Sequence, residues 1–200
     1  MLKQAMEFVR TNKLEGDYLE FGVYRGGTFM PAYHFSKRIL KNSMKFYAFD
    51  SFEGLPEPTG VDTEVKEFQK GEYSCSLDEF KKILKGNQVN LSDVIFIPGW
   101  YNETLNQKTK EELNIQKVAV VYIDCDLYES TVPVLDFITD YLQDGTIIIF
   151  DDWFHFKGNP DRGEQKAFAE WLNKNPEIKT SEFHKFGGYL NSFIVHKKEN

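Results

Sequence analysis

Cysteine is scarce: among 200 residues there are two, Cys75 and Cys125. That is too few for a disulfide framework, and a reduced compartment suits both. No apolar run approaches the roughly 20 residues needed to cross a bilayer, and the opening MLKQAMEFVR has no uninterrupted signal-like core. These absences point to a soluble, cytoplasmic protein. Clusters of Lys and Arg are missing and the formal charge is −7, so nucleic acid and anionic membranes are disfavoured as partners. Two nucleotide templates are lacking as well. Tyr24 stands where the second glycine of G-x-G-x-x-G would be, and no Lys follows the glycines as a phosphate loop requires. With a 41% hydrophobic share and no internal repeat, residues 1–200 fit one domain able to bury a full core.

Two short, β-branched apolar runs dominate what is present. One leads to Asp124 and Asp126, the other to Asp151 and Asp152, and a helical pattern separates them. Such runs mark strands buried on both faces of a parallel sheet, joined by a crossover helix. Ligands of such sheets gather beyond the carboxyl ends of the strands. Four acids therefore meet in one small volume, where a hard divalent cation with oxygen ligands would relieve their repulsion. Magnesium is preferred over zinc because no His or thiolate set accompanies the carboxylates. Asp126 carries a second reading: with Glu129 three residues on, it matches a capping box for the crossover helix.

Taken in order, residues 1–15 hold a short surface helix expected to pack on the sheet edge. A strand through Tyr18–Phe21 follows, then a glycine-rich turn at Gly22, Gly26 and Gly27, then a helix reaching about Leu40. The turn allows close backbone approach to a ligand at a helix N-terminus. The next strand, KFYAFD, ends in Asp50, placed to accept hydrogen bonds from the hydroxyls of an adenosine ribose, with Glu20 as a second acid nearby. Together these outline a nucleoside cleft. Residues 55–75 read as a long polar loop, a candidate lid. A helix capped by Ser76 and stopped by Gly86, a strand ending near Gly99 and Trp100, and a polar helix or helical turn over NETLNQKTKEELN come next. After the two central strands, a helix spans Gly163–Asn173 and a hairpin turns at Gly187 and Gly188, its second strand LNSFIVHKK. The count gives an α/β, doubly wound fold of about five parallel strands closed by an antiparallel pair.

The stretches YLEFGVYRGGTF, FYAFDSFEGLP, YIDCDLYEST and IIIFDDW resemble the macrocin O-methyltransferase (TylF-type) family of class I S-adenosylmethionine-dependent methyltransferases. The resemblance runs from about Gly16 to Leu172. It implies a seven-stranded Rossmann-like sheet with an antiparallel last strand, and magnesium-assisted methyl transfer to a hydroxyl of a sugar or related natural-product acceptor. It also implies roles: Asp124, Asp151 and Asp152 on the metal, and Asp126 as general base. Glu20, Gly22, Val23, Tyr24, Gly26, Thr28, Asp50, Ser51 and Asp124 would line the S-adenosylmethionine site. The family further suggests a homo-oligomer. The chain departs from it in a short segment ahead of the glycine strand, where longer members carry helices that help enclose the acceptor. His155, which follows the acid pair, is a candidate substrate contact, with an ordinary surface-loop histidine as the default expectation. Rival readings are a D-x-D magnesium phosphotransferase, disfavoured because about three strands precede the motif; a D-x-D glycosyltransferase; and a non-catalytic S-adenosylmethionine-binding module.

Overall fold

The apolar runs become strands whose alternate residues face opposite sides of one sheet. In a computed structural model describing residues 1–40, 44–64 and 68–197, seven strands lie in the order β3-β2-β1-β4-β5-β7-β6. They are β1 (Asp17–Phe21), β2 (Phe46–Asp50), β3 (Val94–Pro98), β4 (Val118–Ile123), β5 (Leu142–Phe150), β6 (Lys179–Phe186) and β7 (Leu190–His196). The first five in spatial order are parallel, and β7 runs antiparallel to both β5 and β6. This is the expected doubly wound sheet with its antiparallel close. Residues 65–67 of the expected lid and Lys198 of the expected last strand lie outside the described residues.

Among the described residues, seven α-helices cover the two faces: α1 (Leu2–Asn12), α2 (Phe29–Ile39), α3 (Leu77–Gly86), α4 (Tyr101–Thr104), α5 (Gln107–Leu113), α6 (Tyr128–Ile138) and α7 (Gly163–Lys174). On one face Phe21, Val121, Ile123, Ile148 and Phe150 meet Leu135, Phe137, Phe168 and Trp171 of α6 and α7. On the other, Tyr18, Val120, Tyr122, Ile147 and Ile149 meet Met6, Val9, Phe29, Phe80 and Leu84 of α1, α2 and α3. Burying a large apolar side chain contributes about 1.5–3 kcal/mol, so both faces hold the sheet.

Several expectations need correction. α1 does not sit on the sheet edge. Its Ala5, Met6 and Val9 are buried in the same core as Ile147 and Ile149, because its apolar stripe covers more surface against a face than an edge strand could offer. The polar helix divides into α4 and α5, since the Asn106 side chain accepts from the Thr109 N–H at 3.1 Å and starts a new helix there. Gly86 is still helical; the turn after α3 is made by Asn87 and by Gln88 at φ 62°. The polar loop carries a 3-10 helix, Gly60–Glu64.

The chain first winds outward from β1 to β3, then returns to place β4 on the other side of β1. A topological switch point thus falls between β1 and β4, where an open parallel sheet leaves a crevice at its carboxyl ends. The strands end level: Phe21 pairs with Phe49 and with Ile123, and Ile123 with Phe150. The residue after each end carries the next rung, Asp124 N–H donating to Phe21 O at 2.8 Å and Asp151 N–H to Ile123 O at 2.9 Å. Gly22, Asp50, Asp124 and Asp151 therefore emerge along one line.

Candidate active site

A cleft of about 760 Å³ opens along that line. Its floor depends on Gly22, at φ 85°, where an added Cβ would lie 1.9 Å from the Asp124 carbonyl oxygen. Only a residue without a side chain lets the two strand ends converge so closely. The turn beyond it is braced by Asp50. Its Oδ2 accepts from Val23 N–H at 2.8 Å and Tyr24 N–H at 3.3 Å, and its Oδ1 from Phe52 N–H at 2.7 Å. Burial pushes the Asp50 carboxyl above its ordinary range, and those three amides pull it back. Ser51 donates to Gly54 O at 2.9 Å, tying the start of the polar loop.

Of the residues expected around S-adenosylmethionine, Gly22, Tyr24, Asp50, Ser51 and Asp124 line the cleft. Glu20, Val23, Gly26 and Thr28 stand behind it. Glu20 has no exposure; it accepts from the Tyr18 hydroxyl and, at 2.6 Å, from Thr28 Oγ1. Burial raises its carboxyl to about 8 against the pull of those two hydroxyls. Val23 is buried in the core, and Gly26 lies beside Phe80 and Leu84. Their position makes them supports of the turn.

Across the cleft the acids come together. Asp124, Asp151 and Asp152 each bring a carboxylate oxygen within 4.8 Å of the others, and Asp126, Asp152 and His155 form a second such group sharing Asp152. Tyr122 donates its hydroxyl to Asp151 Oδ1. Asp126 N–H donates to Asp152 Oδ2 at 3.2 Å, and His155 Nδ1 lies 3.0 Å from Asp152 Oδ1. Burial, then the charges of Asp151, Asp152 and Asp126, push the Asp124 carboxyl well above the usual range. Burial and Asp152 raise Asp126 to about 8, with His155 pulling the other way. Carboxylates this close resist ionising together. Three all-oxygen donors under mutual repulsion fit a hard divalent cation, whose charge would offset that repulsion.

The capping reading of Asp126 fails. α6 begins after Leu127 with no cap from its own neighbours; the cap comes from Asp62, whose oxygens accept from Tyr128 N–H at 3.2 Å and Glu129 N–H at 2.9 Å. Asp126 instead holds φ 58° and lines the cleft. Tyr24 and Phe52 are also left-handed, at φ 40° and 58°. Such strain, about 1–3 kcal/mol each, gathers at functional sites. His155 is likewise no ordinary surface histidine, being half-buried and part of the cleft wall.

Sequence reasoning missed several contributors. Glu164, 1% exposed, accepts from Asp152 N–H at 3.0 Å through Oε2, while its Oε1 has no hydrogen-bond partner among the described residues. Burial, then Asp152, Asp124 and the other acids, hold its carboxyl well above the usual range. A first-turn acid of α7 gave the only signal. Tyr73, Trp100, Tyr101 and Tyr189 also line the cleft, with no spacing to reveal them.

The family description Macrocin-O-methyltransferase (TylF) matches residues 1–172. A Streptomyces olivaceus protein named 8-demethyl-8-(2,3-dimethoxy-alpha-L-rhamnosyl)-tetracenomycin-C 4'-O-methyltransferase is 30% identical over 161 residues, covering 76% of this chain and 58% of that protein. The chain thus spans somewhat under two thirds of that relative's length. Among solved structures, the O-methyltransferase NovP superposes with a TM-score of 0.81 at 23% identity, covering 98% of this chain and 78% of NovP. CalS11, described as a TDP-rhamnose 3'-O-methyltransferase, gives 0.66 at 21% identity over 96% of this chain and 77% of its own. These two likenesses show the shared fold. Among the described residues, no helix is long and apolar enough to cross a membrane.

Proposed function

Because the chain belongs to the macrocin O-methyltransferase family, we propose that it transfers a methyl group from S-adenosylmethionine to a hydroxyl of a sugar or sugar-bearing small molecule. The observation that carries this reading is one continuous cleft joining the glycine turn and Asp50 to the acids of β4 and β5. Gly22, Asp50 and Asp124 would hold S-adenosylmethionine, which would supply an electrophilic sulfonium methyl. A divalent cation, held by Asp124, Asp151 and Asp152, would supply positive charge that stabilises an alkoxide as it forms.

The chain's own groups account for the rest. Asp126 would accept the acceptor's hydroxyl proton on a carboxylate oxygen, leaving the acceptor oxygen free to take the methyl group as the cofactor departs as S-adenosylhomocysteine. Burial and the charge of Asp152 raise the affinity of Asp126 for a proton, and the charge of a bound cation would act in the opposite direction and favour the ionised, proton-accepting form. Asp152 receives hydrogen bonds or contacts from Asp126 N–H and His155 and donates its own N–H to Glu164, so the acid pair is held from both sides. Asp62 seats the 55–64 segment on the N-terminus of α6, which begins two residues after Asp126. A phosphotransferase reading leaves the glycine turn and Asp50 without a role.

Asp126→Asn tests the assignment. Calorimetry should show S-adenosylmethionine binding near wild type, while S-adenosylhomocysteine formation falls about 10²–10⁴-fold, the usual worth of a general base. Unchanged turnover would remove Asp126 from the mechanism.

A further inference from the structure

One corner of the site is held from outside the sheet. Strand pairing of β5 ends at Phe150, and Asp151 N–H makes one further rung to Ile123 O. Asp152 lies beyond that ladder. Its carboxylate, one carbon from the backbone, would follow any rotation of its peptide. Asp152 is also the residue shared by both clusters of converging ligand atoms. Its Oδ2 accepts from Asp126 N–H at 3.2 Å, and its Oδ1 lies 3.0 Å from His155 Nδ1. A shift of this one residue would disturb the cation seat and the base together.

The first turn of α7 grips this corner with two neighbouring side chains of opposite polarity. Glu164 Oε2 accepts from Asp152 N–H at 3.0 Å, and Gln165 Nε2 donates to Trp153 O at 2.6 Å. Gly163 permits the approach: it stands at φ 53°, where an added Cβ would lie 2.5 Å from Phe156 Cε2 and push the helix start away. An acid serves a helix N-terminus equally well from solvent. Glu164 is instead 1% exposed, a costly placement for a carboxyl that its own helix does not require. It belongs to neither cluster of converging ligand atoms, so its contact with the acid pair runs through the Asp152 backbone.

Resting on the cation seat proposed above, we infer that Glu164 is a positioning residue for the acids of that seat, fixing the Asp152 peptide through Oε2 without touching the cation, with Gln165 as its second arm. Groups one hydrogen bond removed from a metal ligand orient that ligand, and losing one costs about 10–100-fold in metal affinity. Glu164 meets that description through a backbone amide, and the same amide carries the residue that receives Asp126 N–H.

Glu164→Leu and Glu164→Gln separate this role from plain packing. Leucine leaves Asp152 N–H without an acceptor, whereas glutamine restores an acceptor oxygen without the charge. With the full chain saturated in S-adenosylhomocysteine, electron paramagnetic resonance measures the Kd of Mn²⁺ and calorimetry that of S-adenosylhomocysteine. Mn²⁺ affinity should fall about tenfold or more in Glu164→Leu, stay within about threefold of wild type in Glu164→Gln, and fall severalfold in Gln165→Ala. The Kd of S-adenosylhomocysteine should be the same in all of them. A packing role alone would lower the unfolding temperature of Glu164→Leu and leave its Mn²⁺ affinity at the wild-type value, which overturns the inference. Equal loss in Glu164→Gln and Glu164→Leu also overturns it, since charge and not the acceptor oxygen would then be responsible. Should Glu164→Leu fail to fold, Gln165→Ala decides, and unchanged Mn²⁺ affinity in that variant overturns the inference. All these results leave the cation seat standing. A wild-type chain that binds no Mn²⁺ overturns the seat itself and the inference with it.

Discussion

Replacing Glu20 by glutamine should make the protein more stable, by an amount that depends on pH. The Glu20 carboxyl has no exposure and is raised from an ordinary 4.5 to about 8, chiefly by burial and secondarily by the charges of Asp151 and Asp50. The unfolded chain gives up this proton near pH 4.5, while the folded chain keeps it to about pH 8. Between those values the unfolded state binds fewer protons, so stability falls as pH rises, by about 1.4 kcal/mol per pH unit. The accumulated loss reaches about 5 kcal/mol at pH 8 and then stays constant. Below pH 4.5 both states are protonated and the penalty vanishes. The side chain of Glu20→Gln would be neutral throughout, and its amide can donate to one of the hydroxyls of Tyr18 and Thr28 and accept from the other. Urea unfolding of the metal-free protein from about pH 4.5 to 9 provides the assay. The stability gap between variant and wild type should widen steadily to about pH 8 and level off. A gap independent of pH would mean that Glu20 is ionised in the folded state, refuting its placement behind the cleft.

Gly22→Ala should destabilise the fold by about 3 kcal/mol, from overpacking and a strained φ, because its Cβ would sit 1.9 Å from Asp124 O; denaturation within about 0.5 kcal/mol of wild type would contradict that close approach. Asp62→Ala should cost about 1–2 kcal/mol by uncapping α6 and should speed proteolysis within the 55–64 segment. Unaltered cleavage would show that the segment is held by something other than the Asp62 hydrogen bonds.

The sheet was legible because its signals are local and repeated. β4 and β5 are apolar runs flanked by turn residues, and the terminal hairpin announces itself at Gly187 and Gly188. The gathering of Asp124, Asp126, Asp151 and Asp152 followed from strand direction alone, since parallel strands deliver their ends to one side. The less visible contributors act over long separations. Asp62 caps a helix whose first N–H groups come 66 and 67 positions later, so a local capping box at Asp126 looked sufficient. Glu20 and Glu164 are acids, and sequence patterns give no warning that an acid will be fully buried; only the packed structure reveals the hydrogen bonds that receive them. Tyr73 and Tyr189 occupy loops, where periodicity carries no information and position depends on tertiary contacts.

Titration of Mn²⁺ into the S-adenosylhomocysteine complex, followed by electron paramagnetic resonance, addresses the carboxylate cluster without knowledge of the acceptor. One cation should bind to the wild-type chain, with affinity reduced at least about tenfold in Asp124→Asn and in Asp151→Asn and close to wild type in Asp126→Asn. Affinity unaffected by Asp124→Asn and Asp151→Asn would contradict a cation seat at the ends of β4 and β5.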